Sequence, residues 1–177
     1  MPDGTARQFT FVMGVKSVIT TPSARQVLDG RGFREIAGLA WSGHGRIVRA
    51  DGAGLPPGRG SVAQGRALYA ARCQACHGAN GTESTAPRLA GGQDTLATRA
   101  PVLTVGSYWP YATTLFDYIH RAMPLDGPQS LTPDEVYAVT AHTLHLNGIV
   151  GADAVLDAAS LAAVRMPNRD GFRPVSK

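Results

Sequence analysis

Cys73-Gln74-Ala75-Cys76-His77 is the stretch that decides how the chain is read. In C-x-x-C-H spacing, two thiols can add to the vinyl groups of one porphyrin, and the following histidine ligates its iron. The chain has only 2 cysteines, and both sit in this motif. No thiol remains for a structural disulfide, a metal–sulfur cluster or a second haem. The motif therefore predicts a single covalently attached haem c, with Cys73 and Cys76 as the attachment points and His77 as an iron ligand.

Three rival readings fit less well. A redox C-x-x-C follows a strand and opens a helix, but Gly65–Arg72 has a helical pattern and Gly78, Gly81 and Pro87 follow the motif. A zinc site needs four ligands, usually in two spaced pairs. His142 and His145 are the only other close pair, and their spacing from the cysteines is unfamiliar. A bare local disulfide is the blandest alternative.

Length and composition suit one domain, or one domain with an appendage: 177 residues, 44% hydrophobic and 17% charged. No apolar run is long enough to span a membrane; the longest candidate, Phe9–Val15, is interrupted by Gly14 and stopped by Lys16. The net charge of +4 lies entirely in the first third. Residues 1–60 carry 8 basic and 4 acidic groups, whereas residues 61–177 carry 9 of each. The basic residues are scattered through apolar and glycine-rich sequence without a recognition motif, so no nucleic-acid partner is expected.

Three regions follow one another. In residues 1–49, Phe9, Phe11, Met13 and Val15 alternate with Thr10, Val12 and Lys16, as along a strand. Phe33–Trp41 and Arg46–Ala50 read as two more strands, joined by a turn at Ser42–Gly45. Residues 50–60 form a Gly/Pro-rich linker. From residue 61 to 177 the pattern is helical, with helices expected over 65–76, 111–121, from Thr132 to Asn147, and over 152–164. Thr132-Pro133-Asp134-Glu135 is a strong start signal: a threonine N-cap, proline at the first position and glutamate three residues after the cap.

The sixth iron position decides whether such a haem passes electrons or binds and transforms a ligand. A methionine sulfur raises the potential and suits electron transfer. Met123 lies 46 residues after His77 in a loop between two helices, and chain geometry favours it. Met166 lies in the tail, where its role as a flexible gap-filler is the simpler reading. His120 is a further rival that would give a bis-histidine iron. A ligating imidazole donates its other N–H to a carbonyl, and Pro87 is the expected acceptor. Leu89 is expected on the haem face. Tyr108 and Trp109 are expected at its edge or in ordinary core packing.

Residues 61–150 resemble class I cytochromes c in Gly65, Tyr69, Cys73-x-x-Cys76-His77, Ala86–Gly91, Met123 and Tyr137. The resemblance implies a mainly α fold: a class I cytochrome c helical arrangement around one haem, with a Gly65/Tyr69/Tyr137 contact between its first and last helices. It also implies that His77 and Met123 are the axial pair. Thr104–Ile119, Arg121–Pro124 and Met166–Phe172 are similar to the cytochrome subunit of sulfite and sulfane dehydrogenases. Phe11–Thr20 and Gly32–Gly43 resemble the start of the immunoglobulin-like dimerisation domain of molybdenum sulfite oxidase relatives. Only the first strands of that domain are present, so residues 1–49 read as a partial β segment left by a fusion or a truncated frame.

Together these features describe a monohaem carrier of single electrons rather than an enzyme. The resemblance supplies a molybdenum sulfite or sulfane dehydrogenase as donor and another cytochrome or terminal oxidase as acceptor. The alternative is a haem enzyme or ligand-binding haem protein with an open sixth position. Covalent haem attachment implies a periplasmic setting, although Met1–Arg7 lacks a cationic start leading into an apolar export core.

Overall fold

The computed structural model describes residues 16–21, 37–41, 48–82 and 85–172. The chain divides into two compact units, Met1–Arg46 and Ile47–Lys177. In the first, strands β1 (Lys16–Thr21) and β2 (Ala37–Trp41) pair antiparallel. The register runs from Lys16 opposite Trp41 and shifts between Ile19 and Thr21. β2 falls inside the strand expected over 33–41, but its partner is 16–21. Most of the expected 9–16 strand, residues 33–36 and the 42–45 turn lie outside the described residues.

Residues 48–50 do not continue a strand. Asp51 accepts a hydrogen bond from Ala53 N–H at 2.9 Å, and Gly52 at φ 87° turns the chain. The Gly/Pro-rich stretch read as a linker belongs to the second unit and is bonded into it. The Tyr137 hydroxyl donates to the Pro56 carbonyl at 2.9 Å, and Asp134 accepts from Arg59 N–H at 2.8 Å. Strand β3 (Arg59–Ser61) then pairs antiparallel with β4 (Val155–Asp157).

The second unit is built on helices α1 (Val62–Arg72), α2 (Gln74–His77), α3 (Ala112–Ala122), α4 (Pro133–Leu146) and α5 (Ala158–Ala163). Capping boxes start α1 at Ser61/Gln64, α4 at Thr132/Glu135 and α5 at Asp157/Ser160. In each box the cap side chain accepts from a backbone N–H that has no partner inside the helix. α1 starts three residues before the expected position because Ser61 caps it. The expected 152–164 helix is shorter, because residues 155–157 are drawn into the β3 pairing.

α4 is buried without a break from Val136 to Leu144, as befits a helix covered on all sides. α3 is two-faced: Ala112, Thr113, Leu115, Phe116 and Ile119 are buried, while Tyr118 is exposed. α1 crosses α4 at Gly65, where a β-carbon would run into the Ala138 carbonyl oxygen. The aromatic partner at this crossing differs from the expectation. Tyr69 packs edge-on against His142, with ring centroids 5.1 Å apart, whereas Tyr137 turns to Phe116 at 4.5 Å. His142 is only 4% exposed, so it belongs to the helix interface.

Candidate haem site

α1 ends at Cys73, and the single turn of α2 carries the rest of the motif. Cys76 and His77 N–H groups both donate to the Cys73 carbonyl, at 3.1 and 3.0 Å. Gly78, at φ 72°, takes the chain out of the turn, and its carbonyl accepts from the Tyr69 hydroxyl at 3.0 Å. The motif is thus fixed to the face of α1 that meets α4. Both thiols are free. Cys73 is half-buried against the core edge and Cys76 is exposed. Burial pushes the Cys73 thiol up to about 11; Arg72 opposes the shift and Cys76 adds to it. Burial likewise pushes the Tyr69 phenol up to about 12, with Cys73 adding to the effect.

The loop after the motif folds back on it. Ala86 N–H donates to the Cys76 carbonyl at 3.2 Å, and Leu89 N–H donates to the Gly81 carbonyl at 2.7 Å. Between these ties, the Pro87 carbonyl lies 3.1 Å from His77 Nδ1. A carbonyl only accepts, so Nδ1 donates, and Nε2 is left as the nitrogen able to bind a metal. Leu89 is half-buried. Its carbonyl accepts from Asn147 Nδ2 at 3.0 Å and Val105 N–H at 3.3 Å.

Met123 caps the C-terminus of α3, its N–H donating to the Ile119 carbonyl at 3.1 Å, and its half-buried side chain packs at the core edge. Met166 is 1% exposed and lies within the core cluster. The His120 ring is 5.9 Å from Phe116. Trp109 is also at the core edge, edge-on to Tyr118 at 5.7 Å. The Tyr108 ring packs on Phe172 at 5.1 Å, beside Leu96, Pro101 and Leu103. Among the described residues, no group of three or more His, Cys, Asp or Glu could hold a metal ion by itself, which leaves the zinc reading without a ligand set.

The donor set fits haem c. Two free thiols flank one helical turn, the adjacent imidazole has its second nitrogen fixed on a carbonyl, and a thioether stands at the apolar core edge. Residues 62–147 match the family model for cytochrome c. The helical unit is a class I cytochrome c: a domain that carries covalently attached haem c and serves electron transport, here with a single haem.

The chain is also similar to a solved structure, the sulfane dehydrogenase SoxCD from Paracoccus pantotrophus, at 46% identity and a TM-score of 0.70. The match covers 72% of this chain and 64% of that one, so this chain spans less than two thirds of its neighbour. No curated protein sequence matches the chain significantly.

Two buried polar residues have roles that the sequence does not predict. In the sequence Asn147 is only the end of the helix from Thr132, and His142 only one of a close histidine pair. An asparagine at a helix C-terminus is so common that nothing local marks one whose side chain reaches a distant loop. His142 did carry a signal: it lies among residues whose apolar pattern buries every side of α4.

Proposed function

We propose that this protein is a monohaem electron carrier working with a molybdenum sulfite or sulfane dehydrogenase in sulfur oxidation. The observation that carries the reading is its 46% identity to the sulfane dehydrogenase SoxCD over 72% of its own length. Cys73 and Cys76 would hold haem c through thioether links, and His77 and Met123 would ligate its iron. Bound there, haem c supplies a one-electron couple. Pro87 fixes the imidazole plane through its carbonyl, Leu89 and Trp109 shield the site from water, and Tyr69 ties the motif to α1. Methionine ligation would raise the potential, as suits a haem that accepts electrons from such a dehydrogenase. The electrons pass on to another cytochrome or a terminal oxidase. The setting is the periplasm, where haem c is attached. Among the described residues no helix is long and apolar enough to cross a membrane.

The burial pattern supports Met123 over Met166: a side chain sealed among core residues cannot reach a cofactor without opening the core. Met–iron ligation gives a ferric band near the red end of the optical spectrum. Met123→Ala is expected to lose that band and Met166→Ala to keep it; a band surviving in Met123→Ala overturns the assignment. The partner is tested by mixing oxidised protein with a reduced molybdenum sulfite dehydrogenase and timing haem reduction. Reduction no faster than in the absence of that enzyme removes the partner reading.

A further inference from the structure

Asn147 sits at the C-terminus of α4, 9% exposed, and both hydrogens of its side-chain amide are committed. One goes to the Thr143 carbonyl at 2.9 Å and the other, across the fold, to the Leu89 carbonyl at 3.0 Å. Its Oδ1 is buried without a hydrogen-bond partner and lies against Gly106, where a β-carbon would run into it.

Helix termination does not explain this residue. Gly148, at φ 69°, already ends α4, with its N–H on the His145 carbonyl at 2.8 Å and Ile149 N–H on the Leu144 carbonyl at 3.0 Å. An unpaired buried acceptor is a cost. A glycine or serine would end the helix without it. The asparagine amide instead bridges α4 to the Leu89 peptide of the loop that carries Pro87.

We propose that Asn147 is a positioning residue for the His77 imidazole, acting through the Leu89 peptide on the Pro87 carbonyl; this rests on His77 being an iron ligand. Near Pro87 the loop is also tied at Ala86 to Cys76, at Leu89 and Ala90 to Gly81 and, through the Leu89 carbonyl, to Val105. Asn147 joins it to the main core helix. The amide is also selective. An aspartate of the same shape would turn an oxygen toward the Thr143 and Leu89 carbonyls. A firmly held Nδ1–H···O bond makes the imidazole a stronger donor and favours ferric iron. Releasing Leu89 lengthens that bond and shifts the balance toward ferrous iron.

The test uses the full haem-loaded chain carrying Asn147→Ala, with Gln93→Ala as control. Gln93 reaches only the Asn147 backbone carbonyl, at 3.4 Å, so its removal leaves the bridge intact. Asn147→Ala is expected to raise the midpoint potential above wild type and to speed exchange of the His77 Nδ1 proton about fivefold, roughly the worth of one net hydrogen bond. Gln93→Ala is expected to change neither. Asn147→Ser, which keeps a shorter donor, is expected to fall between, and it carries the test if the alanine variant does not fold. A lowered melting temperature with unchanged potential and unchanged proton exchange makes Asn147 merely structural and overturns the proposal. His77→Gly separates this from a failed ligand reading: if that variant keeps the parental haem spectrum, His77 is not the ligand.

Discussion

The α1/α4 crossing and the haem-motif face belong to one helical unit but are built by opposite rules. At the crossing, Gly65 admits the Ala138 backbone, Tyr69 meets His142 edge-on, and α4 is buried from Val136 to Leu144. On the motif face, α2 buries no residue of its own, Cys76 and Pro87 are exposed, and Cys73, Trp109 and Met123 sit at the core edge. Order there comes from hydrogen bonds between loops. The first region holds the fold by close packing. The second is shaped for a cofactor by a few polar ties, two of which come from the helices of the first: Tyr69 of α1 reaches Gly78, and Asn147 at the end of α4 reaches Leu89. Substitutions should therefore separate stability from spectrum according to the side they touch.

The largest separation is expected at Phe116, which is fully buried with its ring 4.5 Å from Tyr137. Phe116→Ala is expected to cost about 3–5 kcal/mol, because it removes a large apolar side chain and leaves a cavity between α3 and α4. Denaturant unfolding of the haem-loaded protein measures it. A loss below about 1 kcal/mol would mean that this core does not carry the fold, since full burial of an aromatic ring is worth more.

Gly65→Ala comes next. The added β-carbon meets the Ala138 carbonyl oxygen, which is backbone and cannot swing aside, so α1 and α4 must move apart. Overpacking of this kind costs about 1–3 kcal/mol. The midpoint of unfolding is expected to fall while the ferric methionine band stays in place. A lost band with an unchanged midpoint would join the two regions more closely than their packing suggests.

Features fixed by neighbouring residues were legible in the sequence, and features fixed by distant ones were not. The Thr132–Glu135 capping box is local, and α4 starts where it predicts; the helix expected over 65–76 instead breaks at Cys73 into α1 and α2. Ser61-Val62-Ala63-Gln64 is also a capping box, equally local, and it sets the start of α1 three residues before the expected Gly65. The β3–β4 pairing joins segments almost a hundred residues apart. Val155–Asp157 has a helix-compatible pattern that only its partner overrides. Strap 50–60 has the composition of a linker, and tertiary bonds from Tyr137 and Asp134 hold it down. The Asn147–Leu89 bond is of the same long-range kind.

The smallest effect expected is a pH dependence seated at His142. Burial lowers its pKa below the ordinary 6.5, and Arg66 and His145 push the same way; its Nδ1 has no hydrogen-bond partner. The neighbours that bear on it are the edge-on Tyr69 ring, a phenol that stays neutral up to about 12, and the two cationic or ionisable groups just named. The folded protein thus prefers the neutral imidazole, whereas the unfolded chain takes up a proton near 6.5. Stability from this residue is fully present above that pH and is lost as pH falls toward the lower folded value, since the unfolded state then binds more protons. His142→Phe keeps an edge-on ring for Tyr69 and removes the titration. Between pH 7 and pH 5, the wild-type unfolding midpoint is expected to fall more steeply than that of His142→Phe. Parallel curves would show that the proton reaches His142 without opening the α1/α4 crossing, and the close packing assigned to that region would then be too tight a description.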